Sequence, residues 1–387
     1  MLIYSIVFLL LLFGVFHYDH RKNIFLGNVY YFLVFTVMTL MTGLRYRTGG
    51  DSLMYEDYYP YLPNLDNLLH FISSDTALNY QPLYLLFVAL CKVFSPDYYF
   101  YQMTHALVVN SVIFWFIQRN TRYRYTVLFL MYFFLIYFYF SFEIQREILA
   151  ICCFLLAFRY FEKNKWVIYY LFAIAGFLFH ISATILFILP LFKIVKFTRR
   201  FIIITVIGTF PLIFLKEYLF SIFEIFLVTE TMQTKGKVYS EVEFSIVGVL
   251  FFYFVRVVVA LPFLSASLKN RFTKDWLLAA YLVLAISAQI MVGFDRFMNY
   301  IYLPFFIFIT DSIYTHFGHQ KISWLKRRFI VIAVMLHLFF ILDYKVVMDM
   351  GVTNRARYQA VFFPYECVIE KEKNSEREKF MRELWKR

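Results

Sequence analysis

Long apolar runs alternate with short polar joins along the whole chain. A helix that crosses a bilayer needs roughly 20 mostly apolar residues. Runs of that kind cover about 1–16, 24–44, 98–117, 126–142, 146–160, 166–180, 181–195, 201–220, 245–267, 276–293, 297–315 and 329–346. The pattern predicts an all-α, polytopic integral membrane protein with about 12 transmembrane helices. A further run, 82–94, is interrupted by Cys91-Lys92 and followed by Ser95-Pro96-Asp97. A run that short reads as a re-entrant or interfacial segment. The first run has no basic leader and no small-residue cleavage site, so it reads as a retained helix. Two joins, 45–97 and 216–244, are long enough to do more than connect helices. The expected organisation is a membrane domain over 1–346 and an external C-terminal tail over 347–387. No internal period and no inverted repeat is visible, which disfavours a transporter.

Composition strengthens the membrane reading. Apolar residues make up 61% of the chain and charged residues 17%, with 51 Phe and 32 Tyr. Soluble domains are about half apolar and a quarter charged, and their cores grow only slowly with size. Soluble enzymes, disulfide scaffolds and nucleic-acid-binding modules are therefore excluded, and no nucleic acid partner is expected. The net charge of +12 then reads as the bias of Lys and Arg toward cytoplasmic loops. With the N-terminus outside and 82–94 not crossing, the basic joins fall inside. These are Arg21-Lys22, Arg119 to Arg124, Arg159 to Lys165, Lys193 to Arg200, Lys269 to Lys274 and Lys321 to Arg328. A crossing at 82–94 would put the Arg119 to Arg124 cluster and every later basic join outside. The arrangement expected is N-out and C-out. The cysteines, Cys91, Cys152, Cys153 and Cys367, form no C-x-x-C pair and read as small apolar residues.

Chemistry is expected where ionisable groups meet span boundaries. Gly43-Leu44-Arg45-Tyr46-Arg47-Thr48-Gly49-Gly50-Asp51, followed by Tyr55, stands where the second helix leaves the outer face. The guanidinium fork suits phosphate, and Gly-Gly lets backbone N–H groups approach an anion. An interfacial arginine pair beside a turn would look the same. Glu143-Ile144-Gln145-Arg146-Glu147 opens a helix on the outer side, either as an anion site or as capping with a Glu143–Arg146 pair. Phe179-His180-Ile181-Ser182 lies at an outer turn, where His180 is a candidate for proton transfer or a hydrogen-bonded boundary residue. Arg256 is mid-span and needs a polar cavity or a carboxylate, with Asp295 and Asp311 as candidates. Asp295-Arg296 closes the set at another outer end. Four of these arginines, Arg45, Arg47, Arg146 and Arg296, share the outer side. Their common purpose would be to grip a phosphate or pyrophosphate on a membrane lipid, while external Tyr and Asp suit sugar recognition. His316 and His319 have ligand-like spacing but no Cys or carboxylate close by, so no metal is expected. The tail from Glu370 alternates charge, with Phe380, Met381, Leu384 and Trp385 on one side. It reads as a short helix that is solvated or lies on the membrane surface.

These motifs together resemble a known family. Gly43-Leu44-Arg45-Tyr46, Gly49-Gly50-Asp51 and Tyr55 resemble the opening signature of the EpsG/Wzy-type polysaccharide polymerases. Gln145-Arg146-Glu147, Phe179-His180-Ile181-Ser182-Ala183, Asp295-Arg296-Phe297 and Phe363-Pro364-Tyr365-Glu366 resemble its later segments, in order, over about residues 40–370. The trio departs from the family pattern, since Gln145-Arg146 stands where Arg then Gln is expected. The resemblance implies a catalytic membrane domain like that of the C-type glycosyltransferase superfamily. It also implies a polymerase that joins undecaprenyl-pyrophosphate-linked oligosaccharide units on the outer face of the bacterial plasma membrane. Donor and acceptor would both be such lipid-linked glycans. Membrane lipid and a chain-length regulator protein are further partners to expect, and no cofactor is.

On that reading Arg45, Arg47, Arg146, Arg256 and Arg296 bind the pyrophosphate, and Tyr55 and Asp295 contact substrate. His180 is the first candidate for the base and Asp51 the second. The lipid tail would lie in a lateral groove among Phe-rich helices. Three other functions fit the same residues: a C-type glycosyltransferase using a polyprenyl-phosphate donor, with Asp51 as base; a glycan ligase; and a lipid-linked oligosaccharide flippase or transporter.

Overall fold

Regular structure in the computed structural model is helical throughout the described residues. These are 2–19, 24–74, 80–215, 246–261, 264, 274–290, 294–312, 314 and 358–384. The join 216–244, the run 329–346, His316, His319 and the basic residues Arg21, Lys22, Lys269, Arg271 and Lys321 to Arg328 lie outside them. Two helices, Phe25–Gly43 and Tyr98–Asn120, are each long and apolar enough to cross a bilayer. A third crossing is present if Arg124–Phe133 and Ile136–Glu143 count as one span bent by 83°. Other runs give shorter apolar helices, among them Leu2–His17, Trp166–Phe179 and Asp275–Gln289.

The chain forms two compact units, Met1–Ala183 with Leu342–Arg387, and Thr184–Ile341. The C-terminal residues therefore fold into the first unit. That unit holds α1 (Leu2–His17), α2 (Ile24–Gly43), the short α3 (Ser52–Tyr58) and α4 (Leu68–Ile72), and α5 (Pro82–Phe94). It continues with α6 (Tyr98–Asn120), α7 (Arg124–Phe133), α8 (Ile136–Phe138), α9 (Gln145–Glu162) and α10 (Trp166–Phe179). Helix α1 is apolar all round: Val7 and Leu11 are buried while Leu2, Leu9, Phe13 and Phe16 face outward. A helix apolar on every side belongs in a core or a bilayer, and these outward faces belong in lipid. Asp97 caps α6 by accepting from the Tyr99 N–H at 2.9 Å. Pro82 opens α5 in the first turn, where its missing N–H costs nothing. The expected single run at 126–142 is instead broken. Leu135 takes a left-handed conformation (φ 55°), and a π-turn, Tyr139–Glu143, follows α8.

Direct contacts order the ends of these helices. Tyr4, at the start of α1, donates its hydroxyl to the Phe362 carbonyl at 2.7 Å. The Tyr46 N–H, just past α2, donates to the Glu366 carbonyl at 2.8 Å. Gln102, in the first turns of α6, donates to the carbonyls of Gly43 and Arg45, both at 2.8 Å. Gln145, at the start of α9, donates to the Tyr98 hydroxyl at 3.0 Å. Helices α9 and α10 form an antiparallel hairpin across Lys163-Asn164-Lys165, with Phe161 against Tyr169 and Tyr160 against Phe172. One end of the unit thus gathers the starts of α1, α6 and α9, the ends of α2 and α10, and the C-terminal segment; we call it the motif end. The other end is tied by Asp19, which accepts from the N–H groups of Tyr125 and Thr126 at 3.3 and 2.7 Å. Helix α5, about 20 Å long at 1.5 Å per residue, places Tyr84 and Phe87 against Tyr101 and Phe94 against Phe100. It packs on the first turns of α6 and is shorter than the roughly 30 Å hydrocarbon layer.

In the second unit, α11 (Ile185–Ile188) runs into a 3-10 turn, Leu189–Ile194, with Pro190 in its first turn. It is followed by α12 (Arg199–Thr209), α13 (Ile246–Tyr253) with a π-turn at Phe254–Val258, α14 (Asp275–Ile290) and α15 (Asp295–Asp311). Tyr281 of α14 stacks on Phe305 of α15 with ring centres 3.7 Å apart. Helix α16 (Ser375–Leu384) returns to the first unit.

Candidate active site

The loop from Gly43 to Asp51 is shaped by two glycines. A side chain at Gly43 would meet Met103 Sδ at 2.5 Å, so glycine lets α2 approach α6. Gly49 has φ +110°, and a Cβ there would stand 2.7 Å from the Phe142 carbonyl oxygen. Only glycine adopts that backbone cheaply. Between them Arg45 is fully buried. Its Nε donates to the Thr48 carbonyl at 3.2 Å, its Nη1 to the Thr42 carbonyl, and its guanidinium lies 4.8 Å from the centre of the Phe142 ring. Its Nη2 has no hydrogen-bond acceptor among the described residues. Burial lowers its pKa from the ordinary arginine value.

Arg47, two residues on and also left-handed (φ 44°), has a different environment. Its Nε and Nη2 donate to Glu56 at 2.8 and 3.1 Å, and its Nη1 to Glu378 of α16 at 2.8 Å. The two carboxylates raise its pKa above the ordinary arginine value, against the pull of burial. Its charge is largely answered within the protein.

Arg146 sits in the first turn of α9, in a nest of phenols. The Tyr55 phenol lies within electrostatic range of its guanidinium. The ring centres of Tyr80 and Tyr84 lie 5.1 and 5.9 Å from its guanidinium. A cation over aromatic faces is attracted by the ring quadrupoles. Asp51 precedes α3, its carbonyl accepting from the Tyr55 N–H at 3.0 Å, so its carboxylate stands one turn from the phenol that meets Arg146. Burial raises the Tyr55 pKa, Arg146 opposing it, and the phenol stays protonated. Gln145 and Glu147 are buried beside Arg146, and His105 Nε2 lies 2.8 Å from the Gln145 carbonyl.

His180 ends α10 at the same end of the unit. Its Nδ1 accepts from the Ser182 N–H at 3.2 Å and stands 2.7 Å from the Ser182 hydroxyl. With Nδ1 accepting, a neutral ring carries its proton on Nε2. The structure thus brings Arg45, Arg47, Asp51, Tyr55, Arg146 and His180 to one end of the first unit. Arg256, Asp295 and Arg296 belong to the second unit. There Arg256, in the π-turn, and Asp295 both lie within electrostatic range of Tyr302, and Arg256 also of Tyr281. Asp295 Oδ1 accepts from the Arg296 N–H at 3.0 Å.

Sequence reasoning missed Arg377. It is 1% exposed inside the tail helix expected to be solvated or membrane-lying. Its Nη1 donates to Glu366 Oε2 at 3.0 Å and to the Thr48 hydroxyl at 3.3 Å. Its Nε donates to the Ala360 carbonyl at 2.8 Å, and its Nη2 to the Pro364 carbonyl. Phe380 and Met381 are buried with it, so the apolar stripe of α16 packs on protein. The signal was available: Arg377, Phe380, Met381 and Leu384 lie at i, i+3, i+4 and i+7, on one face. On the flank of the unit, a groove of about 370 Å³ between α2 and α6 is lined by Phe32, Phe35, Phe114 and Trp115, with Asn28 and Gln118.

Apolar outward faces around a buried arginine–tyrosine cluster define an all-α membrane protein with a polar site at one end of its helices. The EpsG family profile matches residues 28–366, from α2 to the Phe363-Pro364-Tyr365-Glu366 motif, and the chain belongs to the EpsG family. That family is associated with the polymerisation step of polysaccharide biosynthesis. Comparison with curated proteins and with solved structures gives no match.

Proposed function

We propose that the protein is a glycosyltransferase that polymerises undecaprenyl-pyrophosphate-linked oligosaccharide repeat units into a surface polysaccharide. It acts on the outer face of the plasma membrane, with about 12 spans and both termini outside. The observation that carries this reading is the setting of Arg146, within electrostatic range of Tyr55 and flanked by the rings of Tyr80 and Tyr84. A guanidinium binds phosphate oxygens in pairs, and flat phenols offer faces and hydroxyls to sugars.

In the proposed reaction Arg146 holds the donor pyrophosphate. It stabilises the negative charge that grows as the bond from the anomeric carbon to the pyrophosphate oxygen breaks. That electron pair leaves with the polyprenyl pyrophosphate. An acceptor hydroxyl oxygen bonds to the anomeric carbon and gives its proton to a base. Asp51 is the base we favour, because it sits one turn from Tyr55 and because His180 Nδ1 already accepts from Ser182. His180 then donates from Nε2 to substrate oxygen. Arg45 orders the loop from within, Arg47 contributes at its rim, and Tyr55 touches substrate. Arg256, Asp295 and Arg296 are further proposed substrate contacts, on the strength of their positions in sequence. The polyprenyl tail is proposed to run along an aromatic flank of the helices, and a length-regulating protein to act beside the enzyme.

The test is deletion in the native host followed by complementation. We expect deletion to leave single lipid-linked repeat units, wild type to restore the ladder of longer chains, and Arg146→Ala or Asp51→Asn to restore it at 1% or less of the wild-type rate, on the order of the effect of removing one charge-stabilising group. A ladder that survives deletion overturns the polymerase reading. Repeat units shorter by one sugar would identify a monosaccharide transferase, and full-length chains held on the carrier would identify a ligase.

A further inference from the structure

Two segments of the matched region far apart in sequence meet in the first unit, and one residue outside that region joins them. The Gly49 N–H donates to the Val361 carbonyl at 3.0 Å, and the Tyr46 N–H to the Glu366 carbonyl at 2.8 Å. The Val368 N–H donates to the Leu44 carbonyl at 2.8 Å, and the Tyr365 hydroxyl to the Met41 carbonyl at 3.0 Å. The segment 358–368 is thus laid along the loop that carries Arg45. Arg377 fastens the two. Its four donor contacts reach Ala360, Pro364 and Glu366 on one strand of this join and Thr48 on the other.

Thr48 is the connection to Arg45. Its hydroxyl takes the bond from Arg377 and donates to the Tyr46 carbonyl at 3.0 Å, while its own carbonyl holds Arg45 Nε at 3.2 Å. Arg45 in turn lies over Phe142, whose carbonyl Gly49 closely approaches and which stands three residues before Gln145. A guanidinium in the dry interior is expensive to bury, and burial lowers the Arg377 pKa while the Glu366 carboxylate opposes that change. Burial likewise raises the pKa of Glu366, with Arg377 opposing. A methionine or leucine would fill the space more cheaply. What an apolar residue could not do is set a hydroxyl, a carboxylate and two carbonyls at fixed positions.

Building on the polymerase reading, we propose that Arg377 is a positioning residue for glycan transfer: through Thr48 it sets the loop that carries Arg45 and Asp51. Lysine at this position keeps the charge opposite Glu366 but cannot reach four acceptors in a plane. Misplacement of reacting groups by about 1 Å costs on the order of a hundred-fold in rate.

The experiment uses full-length protein in native membrane vesicles, with lipid-linked glycan extracted from the deletion strain as substrate. Rates are normalised to folded protein measured by size exclusion in detergent. For Arg377→Lys and for Thr48→Val we expect kcat to fall roughly ten- to hundred-fold with KM within about two-fold. The double variant should be no slower than the slower single, because both act along one path. Hydrogen exchange at the Tyr46 and Gly49 amides should quicken in Arg377→Lys. Unchanged kcat per folded molecule in Arg377→Lys overturns the positioning role, as do fully multiplicative losses in the double variant. No chain growth by wild type overturns the polymerase reading itself, and unaltered exchange at Tyr46 and Gly49 removes the coupling whatever the activity.

Discussion

Arg47 and Arg146 stand at the same end of one unit, and their neighbours decide what each can offer. Arg47 faces two carboxylates, Arg146 three phenols. A carboxylate answers a guanidinium charge directly, whereas a phenol ring attracts it through the face of its quadrupole. The sequence leads one to expect both arginines near the outer face but could not tell them apart, because Glu378 reaches Arg47 from 331 residues away. Asp19, at the opposite end, supports a prediction about pH. Its carboxylate accepts from two N–H groups and the Thr126 hydroxyl at the start of α7, yet burial raises its pKa from 3.8 to about 6. The folded state therefore holds this proton more tightly than the unfolded chain. The stabilisation is complete below about pH 3.8 and is lost as pH rises through about 6. In detergent, the Tm of the protein should fall across that window and level off above it. Glu366, also pushed up by burial, adds a limb of the same sign. The decisive quantity is thus the difference from Asp19→Asn, which should show a shallower fall. Identical slopes would mean that Asp19 is not strained by burial.

At the scale of elements, the apolar runs gave helix positions well, since period and length depend on local sequence alone. Runs 24–44, 98–117 and 166–180 match α2, α6 and α10 closely. Departures occur where neighbours intervene. The run 126–142 bends at Leu135, so that Phe138 and Phe142 meet Phe362 of the C-terminal segment. No local signal marks that bend, which serves a contact more than two hundred residues away. Gly49 is the clearest case of an element set by a distant partner: its φ of +110° and the Phe142 carbonyl oxygen, 2.7 Å from where a Cβ would stand, both exclude a side chain. Gly49→Ala should destabilise the protein by about 1–3 kcal/mol for the backbone alone, and more if α9 must yield. Unfolding midpoints in a denaturing-detergent titration measure this. A midpoint within error of wild type would show that the loop does not pack on the turn before α9.

For the molecule as a whole, the first unit's two ends make membrane sidedness testable without reference to catalysis. The C-terminal segment shares the motif end with the starts of α1 and α6, while the α9–α10 turn lies at the other. Hydrophobic runs alone could not give this pairing, because it depends on Tyr4, Leu44, Tyr46 and Gly49 meeting residues 361–368. The positive-inside count expects both termini outside on a different ground, since basic residues are costly to translocate, whereas the contact of Tyr4 with Phe362 depends on a hydrogen bond. Single cysteines in a background lacking Cys367 separate the two ends. Asn64→Cys and Lys373→Cys are exposed positions tied to the motif end, and Lys163→Cys is exposed at the other. A membrane-impermeant maleimide applied to intact cells should label Asn64→Cys and Lys373→Cys at once, and Lys163→Cys only after permeabilisation. Labelling of Asn64→Cys and Lys373→Cys from opposite sides would contradict the shared end itself. Labelling of both only after permeabilisation would keep the fold but turn its site to the cytoplasm, and a polymerase of externally presented glycans could not work from there.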